Sequence, residues 1–214
     1  MGPGDQDVKG DRRYDATRRR DRARRQYEAT LAIARSRFLE DGYGGVTVES
    51  IAEAAEVSAA TVYKSYGGKA GLARTLCEHA LRGDGSVPAE ERSDQLQRTG
   101  DARAIIEGWG RLAAEVSPSV SPLLLLLRDA AQTDGDAAAL LEELEASHLA
   151  RMTDNARRLL ATGNVRPGMT TSAVRDVLWT CTAPELYDLL IARRRWSRPQ
   201  FARFVADTMK GCLL

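Results

Sequence analysis

Cysteine is scarce: Cys77, Cys181 and Cys212 are odd in number, widely spaced and outside any C-x-x-C or Cys/His pairing. That pattern excludes a disulfide framework and a zinc-type site, and we read the three as buried small apolar side chains rather than redox sensors. Histidine is scarcer still, with two in the chain, so no Ser/His/Asp set can be assembled. A Gly-rich phosphate loop and paired carboxylates on an apolar cleft are also missing, and we expect neither an enzyme, a cofactor nor a metal. Apolar runs such as Leu123 to Leu127 fall far short of the ~20 residues a membrane-spanning helix needs. The polar, basic start has no apolar h-region, which leads us to expect no signal peptide and a cytoplasmic protein. Nor is there a strand-length alternation of β-branched residues, so the expected fold class is all-α.

What is present suits a folded protein with one or two domains. A chain of 214 residues buries roughly 70% of the surface its unfolded form exposes. The formal net charge of +1 hides an asymmetry, because residues 1–25 hold nine Lys and Arg against five Asp. A basic arm beside a compact domain is a nucleic-acid signature, since each phosphate neutralised releases condensed counterions. We expect residues 1–20 to be a disordered arm, of which Met1 to Arg13 is a solvated tail.

Helical periodicity then runs through the chain. Tyr27, Leu31, Ala34 and Phe38 share one face of a helix from about Asp21 to Asp41, closed by Gly42. Thr47 offers an N-cap to a second helix, ending near Glu56, with Val48, Ile51, Ala52 and Ala55 inward. Ser58 caps a third, Ala59 to Ser65, whose inward residues are Val62 and then Tyr66, so most of its surface must face outward. Lys69 opens a fourth, to about Leu81. Gly83 to Gly100, with room for a loose helix over Ala89 to Arg98, is polar. Further helices are predicted at Ala102–Val116, Ser119–Gln132, Asp136–Ala161, Thr171–Cys181, Pro184–Arg194 and Pro199–Leu213, about nine to ten in all. In this reading Pro118 and Pro122 frame a helix start and Asp136 caps one.

Three short helices with an outward-facing third match a helix-turn-helix, whose recognition helix lies in the DNA major groove. The stretch from Thr47 to Leu72 resembles the tetracycline repressor (TetR) family. It has the pattern Thr-hydrophobic-x-x-Ile-Ala, a turn, Val-Ser, Thr-hydrophobic-Tyr, an aromatic, Lys and Leu, and Phe38 and Gly42-Tyr43 also fit. The likeness covers roughly residues 21–75. It implies a DNA-binding domain over 21–68 and a helical effector-binding and dimerising domain over 69–214. Thr47 would present a helix N-terminus to phosphate. Ser58 would cap the recognition helix; Ala59, Ala60 and Thr61 would lie nearest the bases, their methyls suited to thymine. Tyr63 and Lys64 would reach phosphates or bases, Lys69 a phosphate, and Arg19, Arg20 and Arg22 an adjacent minor groove. Two positions depart from the family, which usually has Gly where this chain has Glu56 and Ala60. A positive φ at Glu56 would cost about 1 kcal/mol.

The resemblance further implies a sequence-specific regulator, a repressor released from a palindromic operator by a small-molecule effector. The alternative is a regulator or architectural DNA-binding protein without an effector. Trp109, Leu126, His148, Met152, Asn155 and Trp179 are the candidate pocket, a few polar groups on an apolar wall; a core role for the Trp and Met residues is equally open. Leu186, Leu189, Leu190, Trp196, Phe201, Phe204, Val205 and Met209 offer more apolar surface than one small bundle covers, and are the candidate homodimer interface.

Overall fold

The computed structural model describes residues 7–214, with side chains for residue 18 and residues 20–214. The described residues are helical, without a strand, and divide into two compact units, Met1–Ala73 and Arg74–Leu214. The boundary falls inside a helix that begins at Lys69.

In the first unit, helix α1 spans Asp7–Gly45 and contains a non-helical Gly42 at φ 75°. Of residues 1–20, expected as a disordered arm, the backbone from Asp7 onward is helical; residues 1–6 lie outside the described residues. No proline interrupts this stretch, and its Arg, Ala and Gln residues are good helix formers, supported by pairs such as Arg24–Glu28 at 2.8 Å. α1 buries Leu31, Ala34 and Phe38, the 3.6-residue face that the periodicity predicts.

Helix α2 (Val48–Ala54) starts at Thr47, whose Oγ1 accepts from the Ser50 N–H, while Ser50 Oγ accepts from the Thr47 N–H. The reciprocal capping box satisfies two of the donors a helix start leaves orphaned. Glu56 then turns the chain at φ 53°, the left-handed conformation that glycine adopts without strain, and α3 (Ala59–Tyr66) follows. Val62 of α3 is fully buried with Ile51 and Ala52 of α2. Tyr66 ties the end of α3 to α1, stacking on Tyr27 with ring centroids 4.8 Å apart and donating its hydroxyl to the Tyr27 carbonyl at 2.9 Å. Helix α4 (Lys69–Arg82) comes next.

The second unit contains α5 (Ala89–Gln97), α6 (Ala102–Ala130), α7 (Gly135–Leu160), α8 (Thr171–Cys181), α9 (Pro184–Tyr187) and α10 (Arg198–Leu213). Two boundaries differ from the sequence reading. α6 runs uninterrupted through Pro118 and Pro122, where a break was expected. Each proline removes a backbone donor at a cost of about 3 kcal/mol, but burial of Val120, Leu123 and Leu127 on the same face as Ile106 and Trp109 outweighs it. α7 is capped by Asp134, which accepts from the Ala137 N–H at 2.9 Å, rather than by Asp136. After α9 the chain widens into a π-helical turn, Asp188–Arg193, closed by Arg195 at φ 59°.

α10 packs chiefly on α6, and α7 on α8 and α6. The α6–α10 crossing is close at Gly110, where a Cβ would sit 2.5 Å from the Ala202 carbonyl oxygen and 2.9 Å from the Ala206 Cβ. Among the described residues no helix is long and apolar enough to cross a membrane.

Candidate functional site

The outward face of α3 is its main chemical asset. Ser58, Ala60, Thr61, Tyr63, Lys64 and Ser65 are exposed, Ala59 is half-buried, and Val62 anchors the helix. Ser58 Oγ accepts from the Thr61 N–H at 3.1 Å and shares a hydrogen bond with Thr61 Oγ1 at 2.8 Å. The cap fixes the first turn and engages the Thr61 hydroxyl. Tyr63, 52% exposed, rests its ring 3.3 Å from where a Gly68 Cβ would be, so glycine there lets the ring lie flat against the turn.

The other predicted contact residues are dispersed. Thr47 is exposed, with its hydroxyl used in the capping box. Lys69 is half-buried, with its ammonium 4.2 Å above the Tyr43 ring and donating to the Tyr43 carbonyl at 3.3 Å. Its charge is therefore held by cation–π and carbonyl contacts. Arg20 and Arg22 are exposed on α1, a helical rod rather than an extended arm; the Arg19 side chain lies outside the described residues.

The second unit holds a cavity of about 690 Å³, within the ~300–1,000 Å³ of small-molecule sites. Trp109, His148, Met152, Asn155 and Trp179 line it and Leu126 does not. Val120, Leu124 and Arg128 are among the α6 residues that line it, spaced four apart, and Leu126 projects from a different face. His148 stacks on Trp179 with centroids 4.5 Å apart, and its Nε2 lies 3.0 Å from Thr182 Oγ1. Burial lowers the His148 pKa, only partly opposed by Glu145. Trp109 Nε1 donates to Ser93 Oγ at 2.9 Å, and Gln97 Nε2 to Asn155 Oδ1 at 2.8 Å.

Three expected interface residues are corrected. Phe201, Val205 and Met209 are at most 1% exposed; the stripe these three form at four-residue spacing on α10 belongs to the core of the second unit. Leu186 and Leu190 are half-buried against that core. Leu189, at 51%, and Phe204, at 37%, are exposed, and the half-buried Trp196 meets Phe204 edge to face at 5.5 Å.

Residues 31–76 match the family described as bacterial regulatory proteins, tetR family. The TetR resemblance holds. The matched segment contains the end of α1, all of α2 and α3, and the start of α4. TetR-like architecture extends over most of the chain. NalD of Pseudomonas aeruginosa, the secondary repressor of the MexAB-OprM multidrug efflux pump, aligns with a TM-score of 0.70 at 19% identity, over 91% of this chain and 98% of that one. FadR of Bacillus subtilis, solved with stearoyl-CoA, aligns with a TM-score of 0.67 at 15% identity over 86% and 97%. The TetR-family regulator PfmR of Thermus thermophilus gives 0.59 at 19% over 84% and 96%. At these low identities the TM-scores show a shared fold alone. No curated protein sequence matches the chain.

Sequence reasoning missed several groups of this TetR-like chain. Ser50 completes the cap of α2, three residues after Thr47, a spacing visible in the sequence. Arg151 and Glu145 line the cavity beside His148, Met152 and Asn155, all on one face of α7 by their i, i+3, i+4 and i+7 spacing. Ser93 was hidden by the polar composition of α5.

Proposed function

We propose that this protein is a sequence-specific DNA-binding transcription regulator that acts as a homodimer and is released from a palindromic operator by a small-molecule effector. The observation that carries the reading is α3: an eight-residue helix anchored by Val62, exposing small, hydroxylated, aromatic and basic groups within the segment that matches tetR-family regulatory proteins. Ala60 and the Thr61 methyl suit thymine methyls; Tyr63 and Lys64 suit phosphates or base edges. Thr47, Ser58 and Ala59 set the backbone at the two helix starts, and Arg20 and Arg22, with Arg19, add phosphate attraction along α1.

Homodimerisation follows from reach, because one such helix contacts few base pairs, whereas two spaced by ~34–36 Å read both halves of a palindrome. Exposed Leu189 and Phe204, the latter against half-buried Trp196, supply apolar surface for that contact. The cavity of the second unit, lined by five of the groups named from sequence, supports effector binding. NalD and FadR are described as an efflux-pump repressor and a protein that binds stearoyl-CoA, and ligand-gated repression carried over to this chain is part of the proposal.

Selection from random duplexes with purified full-length protein tests the reading. It predicts one palindromic sequence preferred over random DNA by ~10³ or more. Equal binding to all sequences would instead make the protein an architectural DNA binder.

A further inference from the structure

The charge arrangement around the cavity goes further than its size. Two guanidinium groups line it, Arg128 and Arg151, and each is bracketed by two carboxylates. Arg128 pairs with Glu145 at 3.0 Å and with Glu185. Arg151 pairs with Glu90 at 3.2 Å and with Asp94 at 2.9 Å; Asp94 also meets Arg158 at 3.1 Å. Three of these carboxylates, Glu90, Glu145 and Glu185, themselves line the cavity, so the wall holds an excess of negative charge. His148 adds no compensating cation at neutral pH, because burial lowers its pKa.

Several of the neutral polar groups are also engaged within the protein. Ser93 accepts from Trp109, and Asn155 Oδ1 accepts from Gln97. Thr182 Oγ1 donates to the Leu178 carbonyl at 2.8 Å while bonding His148. A ligand anion entering here would meet no unpaired cation and would have to displace a carboxylate from each arginine it approached. A cation would meet surplus carboxylate charge and indole rings, which attract cations at their faces. The rest of the wall is mostly apolar and asks for an apolar body.

We propose, building on the effector reading above, that the cavity takes a cationic amphiphile with an aromatic body and discriminates against anions, including acyl thioesters of the kind bound by FadR. The ligand's positive group lies toward Glu145 and Glu185 and its aromatic body against Trp109 and Trp179. Discrimination is electrostatic and weakens with salt.

The test uses full-length protein and three probes built on one pyrenebutyl body, ending in trimethylammonium, hydroxyl or carboxylate. Binding is read by energy transfer from tryptophan to pyrene. The expected order is cation, then neutral, then anion, with cation and anion separated by about tenfold or more in Kd. The double variant Glu145→Gln and Glu185→Gln, at half-exposed side chains, leaves Arg128 without its carboxylate partners and should abolish or invert that separation, with the neutral probe shifting less than either charged one. Equal or tighter binding of the anion, or a separation insensitive to the double variant, overturns the proposed ligand class and leaves the cavity as an effector site. Binding of none of the three overturns the effector site as well, while operator selection still decides DNA binding independently.

Discussion

Ser58 Oγ and Thr61 Oγ1 lie 2.8 Å apart at the N-terminal end of α3, so one cap sets both the start of the helix and the posture of a residue on its exposed face. Ser58→Ala removes the acceptor for the Thr61 N–H, and loss of an N-cap costs about 1 kcal/mol. We expect a lower Tm and weaker binding to the selected operator. Ser58→Asp, which keeps a capping acceptor, should restore the Tm but not the affinity, because the added charge faces DNA phosphates. Thermal denaturation and gel shifts with both variants check the separation.

Glu56 holds φ 53° in the turn between α2 and α3, a conformation that costs a non-glycine residue about 1 kcal/mol. Glu56→Gly should therefore raise stability by up to about 1 kcal/mol, offset in part by the added freedom of the unfolded chain. A fall in Tm would show that the Glu56 side chain contributes more than the strain removes.

Two glycines of the second unit should respond oppositely to alanine. Gly110→Ala pushes a Cβ to 2.5 Å from the Ala202 carbonyl oxygen and should destabilise by about 1–3 kcal/mol through overpacking. Gly211 lies in α10 with nothing within 4 Å of its added Cβ. Gly211→Ala should stabilise by about 0.5 kcal/mol from helix propensity in the final turn. Chemical denaturation of the two variants measures both signs.

His148 carries a pH signature. Its folded-state pKa lies below the ordinary 6.5, first because of burial, so the unfolded chain takes up a proton at higher pH than the native one. Stability is then unaffected well above pH 6.5, falls as pH drops below it, and levels off once pH passes the folded-state pKa. His148→Gln should flatten this part of the profile while leaving the acidic limb from carboxylates in place. A wild-type profile level between pH 7 and 5 would contradict the burial of a neutral imidazole.

Legibility in the sequence followed the physics of each signal. The faces of α1 and α2, both Thr47 and Ser58 caps and the limits of α8 are local, and local patterns carry them. Pro118 and Pro122 misled because a proline's backbone penalty is visible in sequence, while the burial that overrides it depends on partners far along the chain. Phe201, Val205 and Met209 formed a complete apolar stripe, but periodicity cannot say whether a stripe meets its own subunit or a second one. Leu126 failed for a simpler reason, lying on another face of α6 from Leu124 and Arg128. The paired charges around Arg128 and Arg151 join positions 17 to 61 residues apart, which no spacing rule connects.

The central claim is that the exposed face of α3 reads DNA, and the most direct measurement is the operator affinity of Ala60→Glu. Ala60 is exposed, so the variant should fold with a Tm near that of the parent. A carboxylate on the groove-facing side should weaken binding to the selected duplex by about a hundredfold or more. Unchanged affinity in a normally folded Ala60→Glu protein would contradict the account.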